Sequence, residues 1–112
     1  MNDAPAHDLA TPPDPRVTVS LVTYDGAAWL PGCLASLAEQ DLADYELLVW
    51  DNASHDASLT VARDWASTDA RTSVTASDAN LGYAAAHDRH IAVARGEFVL
   101  LLNQDVELDP GF

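Results

Sequence analysis

Four short apolar segments alternate with three segments of helical periodicity, and this alternation constrains the fold more than any other feature. Each apolar segment is rich in aliphatic or β-branched residues and reaches an Asp or Asn within a few residues, which is typical of a strand ending in a turn. The predicted strands are Val17–Thr23, Glu46–Asp51, Thr72–Ser77 and Glu97–Leu102. The predicted helices run from about Ala27 to Gln40, from a cap at Ser54 or Asp56 to beyond Trp65, and from the turn at Asn80–Tyr83 to about Arg95, where Gly96 is expected to end the helix.

This order predicts the fold class. Continuous apolar strands separated by helices indicate an α/β protein, in which a mainly parallel sheet is covered by helices on both faces. With right-handed crossovers, the order βαβαβαβ gives half of a doubly wound fold, a three-layer sandwich. Ligands of such sheets bind beyond the carboxyl ends of the strands. We expect residues 16–112 to form this domain, after a flexible, acidic and proline-rich leader over residues 1–15.

Charge and composition exclude several classes of function. Eighteen Asp and Glu stand against five basic residues, and the formal charge is −13. A surface this negative repels phosphate backbones and anionic lipids, so nucleic-acid binding is not expected. All five basic residues are Arg, and the lack of lysine excludes a Walker A site and Schiff-base chemistry. Cys33 is the single cysteine, so the chain can form neither an intramolecular disulfide nor a cysteine-built zinc site.

Polar residues follow the predicted strands, at the positions where a ligand would bind. They are Thr23-Tyr24-Asp25, Asp51-Asn52, Asn80 with Gly82, and Asn103-Gln104-Asp105. Each one alone also suits a turn or a helix cap. Together they predict a crevice in which at least three carboxylates converge, and this is costly unless a cation or a hydrogen-bonding ligand offsets the charge. A divalent ion held by one or two carboxylates and bridging to phosphates would do so.

Three segments resemble the start of a family 2 glycosyltransferase with the GT-A fold. They are VSLVTYDGAAWLPGCLASLAEQ, LLVWDNASHDAS and NLGYAAAHDRHIAVARGEFVLLLNQD, in this order between Val17 and Asp105. The last motif reads Asn-x-Asp, as in the bacterial rhamnosyltransferase-like group. The resemblance implies transfer of a sugar from a nucleotide-diphosphate sugar of UDP, dTDP or GDP type to a glycan or lipid-linked acceptor, with Mg²⁺ or Mn²⁺. It places the protein in cell-wall or polysaccharide biosynthesis.

The resemblance also implies roles for individual residues. The nucleotide sugar would be bound by Thr23, Tyr24, Asp25, Asp51, Asn52, Asn80, Gly82, Asn103 and Gln104. Asp51 would accept a hydrogen bond from a ring N–H of uracil, thymine or guanine. Asp105 would touch the metal, which stabilises the charge developing on the leaving nucleoside diphosphate. The family commonly has Asn where this chain has Asp25 and Asp88, and Gly where it has His90.

Family members need a second half after the metal motif, which supplies the acceptor surface and the catalytic base. Because the sequence ends at Phe112, the resemblance implies the nucleotide-binding half of a longer enzyme, and no catalytic base is assigned. No segment resembles a membrane span or a signal peptide, so we expect a cytoplasmic location, with the full-length enzyme able to lie at the inner face of the membrane.

Three alternatives stay open beside this interpretation. One is a nucleotide-binding module without turnover. A receiver domain would use Asp51 or Asp105 as phosphoacceptor, but it requires a lysine. A dinucleotide-binding Rossmann half requires Gly-x-Gly-x-x-Gly after the first strand, where Thr23-Tyr-Asp-Gly26 stands.

Several residues outside these motifs are expected to have structural roles. His87 and His90 are three residues apart, but two histidines without further ligands are more often surface residues than a zinc site. Asp88 shares a predicted helical stripe with Leu81, Ala85 and Ala92, so we expect its carboxylate to be buried and hydrogen-bonded. The three tryptophans, Trp29, Trp50 and Trp65, are expected to anchor the core.

The resemblance further implies the strand order 3-2-1-4, which leaves the last strand at an edge of the sheet. The strand from Phe98 to Leu102 is apolar on both faces. An apolar edge with unpaired backbone groups invites pairing with a second copy. We therefore expect self-association when salt screens the negative charge.

Overall fold

The computed structural model describes residues 14–112, so the predicted leader lies outside the described residues except for its last two positions. The elements are β1 Val17–Thr23, α1 Leu30–Ala38, β2 Tyr45–Asp51, α2 Ser58–Thr68, β3 Thr72–Ala76, α3 Tyr83–Val93 and β4 Phe98–Asn103. The strands form one parallel sheet in the order β3-β2-β1-β4. The predicted fold class and strand order are therefore confirmed. Within residues 14–112 no helix is long and apolar enough to span a membrane.

The main apolar core lies on the sheet face covered by α1 and α2. Alternate residues of β1 and β2, among them Leu21 and Val49, are fully buried there. From α1, the residues at helical spacing that join them are Leu30, Cys33, Leu34 and Leu37. Helix α1 begins three residues later than predicted, with Pro31 in its first turn, where a missing N–H costs nothing.

The tryptophans differ in their environments. Trp50 is buried and Trp65 packs against the main core, as predicted. The prediction for Trp29 is wrong, because this residue precedes α1 and its side chain is 54% exposed. A residue outside the helix does not follow the period that places Leu30 and Cys33 in the core.

The other sheet face, under α3, is polar at its centre. Ser20 of β1 is fully buried, and its Oγ lies 2.7 Å from Nδ1 of His87 and 2.7 Å from Nδ1 of His90. Both histidines are buried, so the expectation that they are surface residues is wrong. Asp88 is exposed, and its predicted burial is wrong as well. The buried stripe of α3 runs through Ala86, His87 and His90, because these residues face β1 and β2.

A tight contact joins the end of the α3 segment to the start of β1. A Cβ built on Gly96 would lie 2.4 Å from the backbone nitrogen of Thr18, closer than real Cβ atoms approach. Gly96 N donates to Thr18 Oγ1, which itself donates to Glu46. The helix ends at Val93 and its C-cap Ala94 is extended, so the prediction that Gly96 caps the helix is wrong. Gly96 instead permits close approach of two backbone segments.

Strand β4 lies at the edge of the sheet, as predicted, and exposes much apolar surface. Phe98 is 53% and Leu101 is 52% exposed, whereas Leu102 is buried against the main core. The strand pairs with β1 along one side only.

Candidate functional site

A crevice of about 430 Å³ lies beyond the carboxyl ends of the strands. Its walls are Val22, Tyr24, Trp29, Asn52, Asn80, Gly82, Tyr83, Asn103, Gln104 and Asp105. Seven of the ten predicted site residues are therefore brought together here. The other three, Thr23, Asp25 and Asp51, lie outside the walls.

The expected convergence of three carboxylates is wrong. Among residues 14–112, Asp105 is the only carboxylate on the crevice walls, and no group of three or more His, Cys, Asp or Glu could hold a metal ion. Asp25 and Asp51 are instead turned toward the loop that follows β2, where backbone N–H groups bind them. Asp25 and Asp51 thus both bind this loop, and of the three predicted carboxylates Asp105 alone is left on the crevice walls.

Asp25 fastens the loop after β1 to the loop after β2. Its Oδ1 accepts a hydrogen bond from His55 N at 2.6 Å, and its own N–H donates to Ser54 Oγ at 3.0 Å. Its φ of 47° lies in the left-handed region, which Asp and Asn tolerate better than most side chains. The Asp found here in place of the family's common Asn is therefore compatible with this loop.

Asp51 ends β2 and is only 3% exposed. Its Oδ2 accepts a hydrogen bond from Ser54 N at 3.2 Å, whereas its Oδ1 is buried without a partner in the described part of the chain. A buried carboxylate oxygen without a donor is unfavourable. The N-cap of α2 is Ala57, so the prediction that Ser54 or Asp56 caps this helix is wrong. Asp56 lies one residue earlier, and its Oδ1 accepts a hydrogen bond from Ser58 N at 2.9 Å.

Asn52 holds the loop that leads into α3. Its Oδ1 accepts hydrogen bonds from Trp50 Nε1 and Leu81 N, and its Nδ2 donates to Gly82 O. Asn80 Oδ1 accepts from Gly82 N at 2.8 Å, which closes a small turn. Gly82 has a φ of 83°, and nothing lies within 4 Å of a Cβ built there, so backbone conformation alone requires glycine.

The turn after β4 gives each of its three residues a different role. The amide oxygen of Asn103 accepts a hydrogen bond from the hydroxyl of Tyr83, which ties the turn to α3. The side chain of Gln104 binds the buried Thr23 and the backbone of Tyr24. The side chain of Asp105 is exposed and forms no hydrogen bond with the other described residues, so its carboxylate is free to bind a ligand.

The charge of Asp105 affects its neighbours. Burial raises the pKa of the Cys33 thiol to about 11, and the carboxylates of Asp105 and Glu107 add to this effect. Burial also raises the pKa of Tyr83, again with a contribution from Asp105. Cys33 therefore stays a neutral thiol at physiological pH, and this excludes it as a thiolate nucleophile.

Sequence reasoning missed two aromatic residues of the walls, Trp29 and Tyr83. Trp29 directly precedes α1 and Tyr83 is the first residue of α3. Helices that follow parallel strands begin near the carboxyl ends of those strands, where ligands bind. An aromatic residue at the start of α1 and another at the start of α3 are therefore the signal that could have placed Trp29 and Tyr83 in the crevice.

Several known proteins that are similar to this chain are glycosyltransferases. Residues 18–112 match the family described as Glycosyl transferase family 2. A PGL/p-HBAD biosynthesis glycosyltransferase of Mycobacterium bovis is 32% identical over 94 residues, which are 84% of this chain and 37% of that protein.

Two solved structures share the fold. The mannosyltransferase PcManGT of Pyrobaculum calidifontis, in complex with GDP-Man and Mn²⁺, has a TM-score of 0.75 and 31% identity over 82% of this chain and 28% of its own. S. aureus TarS 1-349 in complex with UDP-GlcNAc has a TM-score of 0.74 and 27% identity over 80% of this chain and 26% of its own. The chain thus spans between a quarter and two-fifths of these relatives.

Proposed function

The chain belongs to glycosyl transferase family 2, and from this premise we propose that its crevice binds the nucleoside diphosphate of a nucleotide sugar for transfer of the sugar to a glycan or lipid-linked acceptor. The observation that carries the proposal is the free carboxylate of Asp105 among aromatic and amide side chains at the carboxyl ends of the strands. The nucleotide sugars in the two neighbours, GDP-Man and UDP-GlcNAc, support this class of ligand. The sugar itself, rhamnose or another, stays a prediction.

The residues present fit a divalent cation that the ligand helps to hold. Mg²⁺ is commonly bound by one or two carboxylates together with substrate phosphates and water. Asp105 offers one free carboxylate, and the described residues offer no ready-made cage. We assign Asp105 as the protein ligand, with Mg²⁺ or Mn²⁺ as the ion. When bound, the ion stabilises negative charge on the departing diphosphate.

The polar walls of the crevice would orient the nucleotide. Tyr24, Trp29 and Tyr83 offer aromatic surface of the kind against which a base or sugar ring packs. Asp51 Oδ1 needs a donor, and a ring N–H of uracil, thymine or guanine supplies one. Because this oxygen is buried, the Asp51 side chain or the adjoining loop must move when the base binds.

A second candidate function is nucleotide binding without turnover by this chain. Sugar transfer to a hydroxyl needs a group that removes its proton. Once Asp105 is assigned to the metal, the part of the crevice walls formed by residues 14–112 contains no second carboxylate and no histidine. The proton acceptor is therefore not assigned to any residue of these walls, and donor binding is the activity that the chain's own site supports.

The test is calorimetric titration with UDP, GDP and dTDP, each with Mn²⁺ and with EDTA. Diphosphate and a net charge of −13 repel each other without a cation. We expect at least one nucleotide to bind only with Mn²⁺, and Asp105→Asn to abolish this metal-dependent binding. Glu107→Gln is the matched control, because Glu107 lies in the same loop but not on the crevice walls. Equal affinity in EDTA, or unchanged binding by Asp105→Asn, would contradict the metal assignment.

A further inference from the structure

The side-chain amide of Gln104 forms hydrogen bonds to the backbone of the loop after β1. Its Oε1 accepts a hydrogen bond from Tyr24 N at 3.0 Å, and its Nε2 donates to Tyr24 O at 3.1 Å. The same Oε1 accepts from Thr23 Oγ1 at 2.7 Å. One amide therefore binds both backbone groups of Tyr24 and a buried hydroxyl, which uses both lone pairs of Oε1 and one of the two N–H donors.

Gly26 provides the space that this amide fills. A Cβ built on Gly26 would lie 1.9 Å from Oε1 of Gln104, and the three nearest atoms to it all belong to that side chain. The φ of Gly26 is not in the left-handed region, so the backbone conformation does not require glycine. Position 26 therefore has glycine because a Cβ there would overlap the side-chain amide of Gln104.

We infer that Gln104 is a positioning residue, and that with Gly26 it fixes the Tyr24 wall of the crevice relative to Asp105. The inference rests on the proposed function, because Tyr24 and Asp105 are the residues assigned to the nucleotide and to the metal. Gln104 adjoins Asp105 in the chain, while its amide binds the backbone of Tyr24. The two halves of the site, which come from β1 and β4, are thereby held in one geometry.

This role differs from the one that the family resemblance implied. A residue that binds the nucleotide sugar needs free polar atoms, and those of Gln104 are mostly occupied within the protein. The effect on a ligand is therefore indirect: loss of the amide lets the Tyr24 loop move and weakens binding without removal of a contact to the ligand. A preorganised site binds more tightly because less ordering is needed on association.

A double-mutant cycle tests the inference, with Gln104→Ala, Gly26→Ala and the double variant. Two quantities are measured: amide hydrogen exchange at Tyr24, which reports the loop without any ligand, and the affinity for UDP, GDP or dTDP with Mn²⁺. Each single variant should speed exchange at Tyr24 and weaken nucleotide binding about tenfold, the loss expected from one or two hydrogen bonds. In the Gln104→Ala background, Gly26→Ala should cause no further increase in exchange and no further loss of affinity, because the side-chain atoms that the new Cβ would displace are already absent.

Gln40→Ala is the matched control. Its amide also binds backbone carbonyls, those of Ser36 and Asp109, but Gln40 does not line the crevice. It should leave Tyr24 exchange and nucleotide affinity unchanged. Additive losses would overturn the pairing of Gly26 with Gln104, and faster exchange with unchanged affinity would overturn the positioning role. A wild-type chain that binds none of the nucleotides would refute the proposed function instead, and the exchange cycle alone would then decide whether the pairing exists.

Discussion

At the scale of single residues, the polar side chains at the crevice and beside it are of two kinds. Asn52 and Gln104 have most of their hydrogen-bonding atoms occupied within the protein, and they shape the loops around the site. Asp105 and Oδ1 of Asp51 are without partners in the described structure. The free atoms are the ones that a ligand can satisfy, so the assignments to metal and base rest on them.

Asp51 should govern the affinity for the base and leave metal binding unchanged. A carboxylate that accepts a hydrogen bond from a ring N–H contributes about 1.5–3 kcal/mol, so Asp51→Ala should weaken nucleotide binding roughly tenfold or more. Calorimetric titration of the nucleotide, and of Mn²⁺ without nucleotide, would measure both effects. Asp56→Ala is the control, since Asp56 lies in the same loop but binds Ser58. A variant that unfolds would show that Asp51 serves the fold instead.

Substitution by alanine should lower the free energy of unfolding at one glycine and not at another. At Gly96 the new Cβ meets backbone atoms of Val17 and Thr18, which cannot move independently, so Gly96→Ala should lower the free energy of unfolding by about 1–3 kcal/mol. At Gly32, inside α1, the three atoms nearest to the new Cβ all belong to the flexible side chain of Glu107, which can move aside, and alanine favours a helix. Gly32→Ala should therefore be neutral or stabilising. Urea unfolding measures both, and equal destabilisation would contradict the contact at Gly96.

At the scale of elements, α3 differs from α1 because it packs its polar residues inward. The hydroxyl of Ser20 has one proton and lies 2.7 Å from two imidazole nitrogens. It can donate to only one Nδ1, so the other Nδ1 must carry a proton and donate to Ser20 Oγ. Two neutral histidines in different tautomers satisfy this geometry. A proton added to either ring would be buried close to the other ring.

The fold should lose stability as pH falls from about 6.5 toward 4. Burial, with a smaller effect from His87, lowers the pKa of His90 to about 4, and burial also lowers the pKa of His87. The unfolded chain therefore binds protons in this window that the folded chain does not, and stability declines by up to about 1.4 kcal/mol per pH unit for each such proton. The carboxylates of Glu46 and Asp88 oppose these shifts only in part.

Urea unfolding between pH 7.5 and 4.5 measures this dependence. Between pH 6.5 and about 5.5 the lowered pKa of the Glu46 carboxyl adds little, because the carboxyl is ionised in both states there. Nearer its ordinary pKa of 4.5 the unfolded chain begins to take up a proton that the folded chain does not, and Glu46 adds to the slope. His90→Asn keeps a polar atom near the Nδ1 position without a titratable ring, and it should flatten the slope. His55→Gln, at an exposed position, should leave the slope unchanged. A wild-type slope near zero between pH 6.5 and 5 would contradict the neutral buried pair.

The strands could be predicted from sequence far better than the faces of α3. Segments such as Val17–Thr23 are rich in β-branched residues and end at acidic turns, so the local pattern suffices. In α3 the alanines give no apolar stripe strong enough to locate the buried face. The sequence pattern therefore predicts that Asp88 is buried, whereas the structure buries His87. The buried partner of both histidines is Ser20, whose Oγ lies within hydrogen-bond distance of both rings. Ser20 is 67 and 70 residues away in the chain, so no local pattern contains this contact.

The site was partly predictable for a similar reason. The crevice position follows from parallel strands, which bring their carboxyl ends together. The pairing of Gln104 with Tyr24 and the rotation of Asp25 toward His55 depend on loop conformations. Such conformations arise from tertiary hydrogen bonds, so sequence spacing could not separate the free carboxylate of Asp105 from the two that are bound elsewhere.

At the scale of the whole molecule, two features have opposite effects on self-association: an exposed apolar edge favours it, and a large negative charge opposes it. The edge strand β4 exposes Phe98 and Leu101, and an adjacent groove of about 380 Å³ contains further apolar residues, among them Leu42 and Phe112. We expect self-association to increase with ionic strength, because the Debye length falls from about 30 Å at 0.01 M salt to about 8 Å at physiological salt. Light scattering across this range measures it, with Leu101→Glu as the variant that should remain monomeric. A monodisperse wild-type chain at every salt concentration would refute this prediction.

The most direct test of the central claim is to locate the metal and the nucleotide on the folded chain. Mn²⁺ broadens the NMR signals of nearby amides, so a sample with the best-binding nucleotide and a small fraction of Mn²⁺ would show where the ion lies. We predict broadening centred on the turn Asn103–Asp105 and on Gly82 and Tyr83, which disappears in Asp105→Asn. Broadening confined to acidic surfaces away from the carboxyl ends of the strands, unchanged by nucleotide or by Asp105→Asn, would contradict the account.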